Sequence, residues 1–231
     1  MNEVVQGLKG GLIVSCQARA NQPFNSPVFL AEMAKAAHLG GAIGIRANGP
    51  DNVAAIREVV DLPILGINKI TYPGSDVYIT PTLRSAKAVA DAGSHIIAID
   101  GTTRPRPEGW TLVELIAAIK RECQLPVMAD ISTYEEGEAA AAAGADLVAT
   151  TLSGYTPYSP KLDGPDLELV KRLATDLTIP VIAEGRINTP EQVAQCFAVG
   201  AFAVVVGRAI TMPHEITRRF AQATPLARQH G

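Results

Sequence analysis

Two short openings alternate along this chain, and their alternation limits its fold more than any other feature. One is a proline-led apolar run: Leu62-Pro63-Ile64-Leu65, Leu125-Pro126-Val127-Met128 and Ile179-Pro180-Val181-Ile182. The other is glycine-led: Leu39-Gly40-Gly41-Ala42, Ala92-Gly93-Ser94-His95, Ala143-Gly144-Ala145-Asp146 and Val199-Gly200-Ala201-Phe202. Glycine just past a helix adopts the left-handed cap conformation, from which the chain turns into a strand. Proline at the first position of a strand forfeits no interior ladder bond. Each opening therefore starts a strand, and Ala-rich amphipathic stretches fill the intervals. Strands are expected at 12–17, 42–46, 63–69, 94–100, 126–131, 147–152, 180–186 and 203–208. Helices are expected at 28–39, 51–60, 82–92, 111–122, 133–143, 166–176, 190–198 and 213–222. Strands separated by helices run parallel. An open doubly wound sheet would alternate in the same way, but a two-strand unit recurring as βαβα quarters favours closure. The expected fold is α/β, a single-domain (β/α)8 (TIM) barrel over residues 1–231, a normal length for one.

Composition narrows the function classes. Aromatics are only 5% of the chain, so Ala, Val, Ile and Leu must build the interior, the set that suits buried parallel strands. A formal net charge of -3 supplies no general attraction to nucleic acid or an anionic membrane. An anionic ligand would need locally placed arginines and backbone N–H groups. Cys16, Cys123 and Cys196 lie far apart in apolar runs, without metal-ligand or disulfide spacing, and read as buried free thiols in a reducing cytoplasm. No signal peptide or membrane-spanning run is visible, so a cytoplasmic protein without membrane or nucleic-acid partners is expected.

In such barrels catalytic groups lie at the C-terminal strand ends. Those ends carry Gln17, Arg46, Asn68-Lys69, Asp100, Asp130, Thr150 to Gly154, Glu184-Gly185-Arg186 and Gly207-Arg208. Charges ending buried apolar strands are costly unless paired or used. Arg46, Asp130 and Glu184 would also suit a structural ion-pair network, Lys69 could reach to solvent, and Asp100 could anchor a loop. His38, His95, His214 and His230 all fall outside a catalytic position. Gly185 and Gly207 leave N–H groups open to an anion, and Arg208 can grip it with two donors, which suggests a phosphate corner at strands 7 and 8. Strands 3 and 7 are diametrically opposed in a ring of eight, so Lys69 and Glu184 should face each other across the mouth. Two acid–base groups on opposite walls suit inversion of a stereocentre next to a carbonyl. Neither a metal-ligand set nor a dinucleotide fingerprint is present, and no cofactor is expected.

Several segments resemble the N-acetylmannosamine-6-phosphate 2-epimerase family. They are Leu12-Ile13-Val14-Ser15-Cys16-Gln17-Ala18, Gly44-Ile45-Arg46-Ala47, Gly66-Ile67-Asn68-Lys69, Thr102-Thr103-Arg104-Pro105-Arg106-Pro107 and Met128-Ala129-Asp130-Ile131-Ser132, followed by Thr150-Thr151-Leu152-Ser153-Gly154-Tyr155-Thr156 and Ala183-Glu184-Gly185-Arg186. The likeness runs in order from about residue 7 to 222. It departs at Thr102, where the family carries Ala. The resemblance implies interconversion of the 6-phosphates of N-acetylmannosamine and N-acetylglucosamine in amino-sugar and sialic-acid breakdown. It implies Lys69 and Glu184 as the acid–base pair, Gln17, Arg46 and Asp130 around the sugar, Arg208 on the phosphate, and a homodimer. On this reading Lys69 must reach its neutral form; Arg46 and partial burial would favour that, whereas Asp130 and the phosphate would oppose it. Two rival readings are a lyase that uses Lys69 as a Schiff-base nucleophile and a non-catalytic sugar-phosphate binder.

Overall fold

The computed structural model describes residues 2–18 and 22–226; His230 lies outside them. Eight parallel strands close into a barrel in sequence order: β1 (Leu12–Cys16), β2 (Gly44–Asn48), β3 (Ile64–Ile67), β4 (Ile96–Asp100), β5 (Val127–Asp130), β6 (Leu147–Ala149), β7 (Val181–Glu184) and β8 (Ala203–Val206). β8 pairs with β1 through Leu12 and Val204, which completes the ring. The helices are α1 (Glu3–Gln6), α2 (Pro27–Leu39), α3 (Pro50–Arg57), α4 (Leu83–Asp91), α5 (Leu112–Cys123), α6 (Tyr134–Ala142), α7 (Leu167–Asp176), α8 (Pro190–Ala198), α9 (Arg208–Thr211) and α10 (Pro213–Gln222).

The pleat sorts the strand residues into two cores. Ile45, Ile64, Ile97, Ile99, Val127, Val148, Val181 and Val204 face outward and pack against the helices. Ile13, Leu65, Ile67, Ile96, Ala98, Met128, Leu147, Ile182, Ala203 and Val205 fill the lumen. α1 belongs to the lumen core: Val5 and Leu8 are buried in it, and Gly10 N–H donates to Phe202 C=O at 2.8 Å. This plug over the N-terminal end is too short to have left a periodic signal in the sequence.

Two expected boundaries differ in ways that matter. β2 does not stop at Arg46 but runs on through Asn48, because Ala47 and Asn48 pair with Gly66 and Ile67 of β3. Arg46 is thus an interior residue two positions below the strand end. β6 stops at Ala149, after which residues Thr150–Leu152 form a 3-10 turn rather than more strand.

The helices begin where local chemistry dictates. Thr82, Thr111 and Thr133 each cap a helix through the N3 amide, with the N3 side chain returning the bond. At α6 that returning side chain is Glu136, which is buried and also accepts from Ser132 and the Tyr158 hydroxyl. It thereby ties the loops after β5 and β6 together at the mouth. Among the described residues no helix is long and apolar enough to cross a membrane.

Candidate active site

The pleat that fills the lumen also selects what reaches its upper end. Continuing the inward-facing sets by one step up each strand gives Ser15 and Gln17, Arg46 and Asn48, Lys69, Asp100, Asp130, Thr151, Glu184 and Gly207. All the residues expected from the sequence except Gly185 and Arg208 stand on this face, and those two occupy the loops immediately beyond.

At the base is a buried ion-pair cluster. Arg46 holds Asp130 with two donors, Nη1 to Oδ1 at 3.0 Å and Nη2 to Oδ2 at 2.5 Å, and Nη1 also donates to Glu184 Oε2. The Thr151 hydroxyl donates to Asp130 Oδ1 at 2.6 Å and lies 3.1 Å from Glu184 Oε2. Arg46 and Asp130 side chains are 1% and 0% exposed, so the cavity reaches them through Glu184, whose side chain is 12% exposed, and through Thr151. Arg46 and Asp130 are therefore assembled at the site, beneath its floor rather than in its wall, as the longer β2 requires. Burial disfavours the Arg46 charge, and the two carboxylates more than restore it, holding its pKa above the ordinary guanidinium value. Burial raises the Glu184 pKa, as does Asp130, against the opposing pull of Arg46, the Thr151 hydroxyl and Lys69. A protonated Glu184 is thus accessible above the usual carboxylate range, while its Oε1 takes no hydrogen bond from the described residues.

A relay runs along the rim from the end of β1 to the residue that follows β3. Gln17 Nε2 donates to Ser15 Oγ at 2.7 Å, which fixes the amide so that Oε1 accepts from Lys69 Nζ at 2.7 Å. The Lys69 amide is anchored to Asn48 Oδ1 at 2.8 Å, and its backbone pairs antiparallel with Ile79. Lys69 is exposed at the rim rather than partly buried, and Arg46 is bonded to two carboxylates.

Glu184, Gly185, Gly207, Arg208 and Gln17 line one cavity of about 200 Å³. Gly185 has φ 115°, which a side chain would strain. Thr150 secures the turn before it: its hydroxyl donates to Glu184 C=O and accepts from Glu184 N–H, at 3.0 and 3.1 Å. Arg186 is spent on structure, donating from Nη1 to Ser153 C=O and from Nε to Gly164 C=O at 2.8 Å. Arg208 is exposed and donates to the Tyr155 hydroxyl at 3.3 Å. With Lys69, Arg186 and Arg208 around the rim and Arg46 neutralised below, the surroundings favour an anion.

Ser15, Thr151, Tyr78 and Tyr155 also line the cavity and were not among the site residues expected from the sequence. Strand parity would have found the first two. Tyr78 and Tyr155 come from loops, where no periodicity indicates the course of the chain. Asp100 anchors its loop, accepting from Thr102 N–H at 2.9 Å, from the Thr102 hydroxyl at 2.6 Å and from Arg104 at 2.7 Å. Thr102 thereby has a local role in holding this loop. His95 Nδ1 accepts from Ile64 N–H at 3.1 Å, at the barrel's far end. Burial lifts the Cys16 pKa to about 12 and the Cys196 pKa to about 11, whereas Cys123 is only half-buried. Among the described residues no group of His, Cys, Asp and Glu is placed to hold a metal.

Comparison with known proteins gives one consistent answer. Residues 30–225 match the family model NanE, described as "Putative N-acetylmannosamine-6-phosphate epimerase". A "Putative N-acetylmannosamine-6-phosphate 2-epimerase" of Caldanaerobacter subterraneus subsp. tengcongensis is 53% identical over 219 residues, covering 94% of this chain and 92% of that protein. One from Clostridioides difficile is 50% identical over 216 residues, 94% of this chain and 96% of its own length. The solved N-acetylmannosamine-6-phosphate 2-epimerase from Clostridium perfringens superposes with a TM-score of 0.93 at 45% identity, over 96% of this chain and 97% of that one. A thiamine phosphate pyrophosphorylase from Pyrococcus furiosus, at TM-score 0.60 and 19% identity, shares the fold alone.

Proposed function

This chain belongs to the N-acetylmannosamine-6-phosphate epimerase family, and from that premise we propose that its mouth interconverts N-acetylmannosamine 6-phosphate and N-acetylglucosamine 6-phosphate at C2. The observation that carries the reading is the pair of strands four apart in the ring: β7 brings a carboxyl with one open oxygen, and the end of β3 brings an amine. In the open-chain sugar the C2 hydrogen is α to the C1 aldehyde. Removing it on one face gives an enolate, and delivering a proton to the other face inverts the centre. Lys69 and Glu184 take those two roles. Arg46 and Asp130 bear on the sugar from beneath, Gln17 bears on it from the Lys69 wall, and the cationic rim steadies the negative charge that develops on the enolate oxygen. Gly185, Gly207 and Arg208 receive the phosphate, which fixes how far C2 sits from either group. The expected setting is a cytoplasmic homodimer acting on a small molecule without nucleic acid; light scattering on the purified protein tests its mass.

The experiment is direct. Purified protein is incubated with N-acetylmannosamine 6-phosphate in D2O and the product followed by NMR. N-acetylglucosamine 6-phosphate carrying deuterium at C2 is expected. Absence of epimer refutes the activity, and epimer that keeps its original C2 hydrogen refutes exchange through solvent-equilibrated acid–base groups.

A further inference from the structure

Thr151 has an uncommon set of neighbours. Its Oγ1 lies 2.6 Å from Asp130 Oδ1, 3.1 Å from Glu184 Oε2 and 3.3 Å from Arg46 Nη1. A hydroxyl has one proton to donate and two lone pairs, yet two of its three partners are carboxylates. Arg46 cannot settle the shortage: Nη1 has two hydrogens and meets Asp130, Glu184 and Thr151 together. The hydroxyl proton is therefore contested. The shorter contact assigns it to Asp130 when Glu184 is protonated and needs no donor at Oε2. Once Glu184 gives up its proton, Oε2 becomes the more demanding acceptor, and a turn about the Thr151 Cβ–Oγ1 bond redirects the hydrogen without moving a heavy atom.

We propose that Thr151 is the positioning residue of Glu184: its hydroxyl holds Oε2, so that Oε1 is the oxygen that exchanges protons with the substrate, and it turns its hydrogen toward Glu184 as charge appears there. The proposal rests on Glu184 being the acid–base group of the epimerisation. The neighbouring residue supports it from a different direction, because Thr150 fixes the Glu184 main chain through both N–H and C=O. Two successive threonines in one 3-10 turn thus fix the backbone and one carboxylate oxygen of the same residue. The other ionisable groups that bear on Glu184 are Arg46 from β2, Asp130 from β5 and Lys69 after β3; Tyr78, on the loop over the mouth, shares the field of Asp130 and Arg46.

The test pairs Thr151→Val, which removes the hydroxyl at similar volume, with Thr151→Ser, which keeps it. Thr151→Val is expected to lose on the order of tenfold in kcat with KM little changed, the loss of one hydrogen bond made to a charged group. Losing a donor to the anion also raises the Glu184 pKa, so the limb of the kcat–pH profile set by this carboxyl moves to higher pH. A second readout needs no turnover: the 13C titration of the Glu184 carboxyl, assigned by its disappearance in Glu184→Gln, should shift upward in Thr151→Val and return in Thr151→Ser. Superposable titrations in wild type and Thr151→Val would overturn the proposal. So would a Thr151→Ser enzyme as impaired as Thr151→Val, which would make the role one of methyl packing. A wild-type protein that fails to epimerise overturns the catalytic reading, and the carboxyl titration then still decides whether Thr151 governs Glu184.

Discussion

Replacing Arg46 by methionine would remove the cation from beneath the mouth while keeping most of its volume. Arg46 is 1% exposed and is the only cation bonded to Asp130 among the described residues. Its loss strips two charge-assisted bonds from a fully buried carboxylate and one from Glu184, leaving the Thr151 hydroxyl as their shared donor. Breaking a buried pair from one side costs about 3–5 kcal/mol, because the remaining charge is neither solvated nor paired. For a domain of this length that corresponds to a melting temperature lower by about 6–20 °C. The cost should depend on pH with a definite sign. Burial and Asp130 already hold the Glu184 pKa above its ordinary value, and losing the opposing pull of Arg46 raises it further, so the folded state binds the extra proton in the window between the unfolded and folded values. Stability therefore falls as pH rises through that window and recovers as pH drops into it. Urea denaturation at pH 5.5 and 8 reads this, with a smaller deficit expected at the lower pH. The double variant Arg46→Met with Asp130→Asn should regain part of the loss, since the stranded charge is gone. A deficit below about 1 kcal/mol, or one that neither pH nor the second substitution relieves, would refute the reasoning.

The remaining expectations concern the chemistry and the periphery. Lys69→Ala and Glu184→Ala should each abolish epimerisation while calorimetry still registers sugar-phosphate binding; near-normal turnover in either removes that residue from its role. Borohydride should trap no substrate adduct on Lys69, and a trapped adduct would favour the Schiff-base lyase. Arg208→Ala should raise KM for the phosphorylated sugar by about tenfold or more, as expected for one charged contact, with a smaller effect on kcat; unchanged KM would place the phosphate elsewhere. His95 has its pKa lowered by burial and then by Arg57. It remains neutral in the folded state where the unfolded chain takes up a proton, so its contribution to stability is present above about pH 6.5 and declines as pH falls. His95→Asn should flatten that part of the stability–pH curve.

The ring of strands was legible because its two kinds of strand opening repeat, and glycine and proline each allow few backbone states. The candidate site residues could be picked out for the same reason, since they end those strands. What escaped has physical causes. α1 and α9 have four residues each, less than the span over which a hydrophobic period shows. The length of β2 depends on its pairing with β3, so Arg46 could be singled out as a site candidate while its depth could not. Tyr78 and Tyr155 arrive on loops whose paths are set by partners distant in sequence, such as the bridge from Lys69 to Ile79 and the contact of Arg208 with Tyr155.

The short N-terminal helix has a bearing on events at the far pole. With Val5 and Leu8 seated in the lumen, the column of aliphatic side chains below Arg46 is closed to water from underneath. Water thus reaches the buried ion pairs from the mouth, and Arg46, Asp130 and Glu184 interact through a medium of low permittivity. A chain lacking its first eight residues would let water in from below and loosen those ion pairs at a place the missing segment never touches.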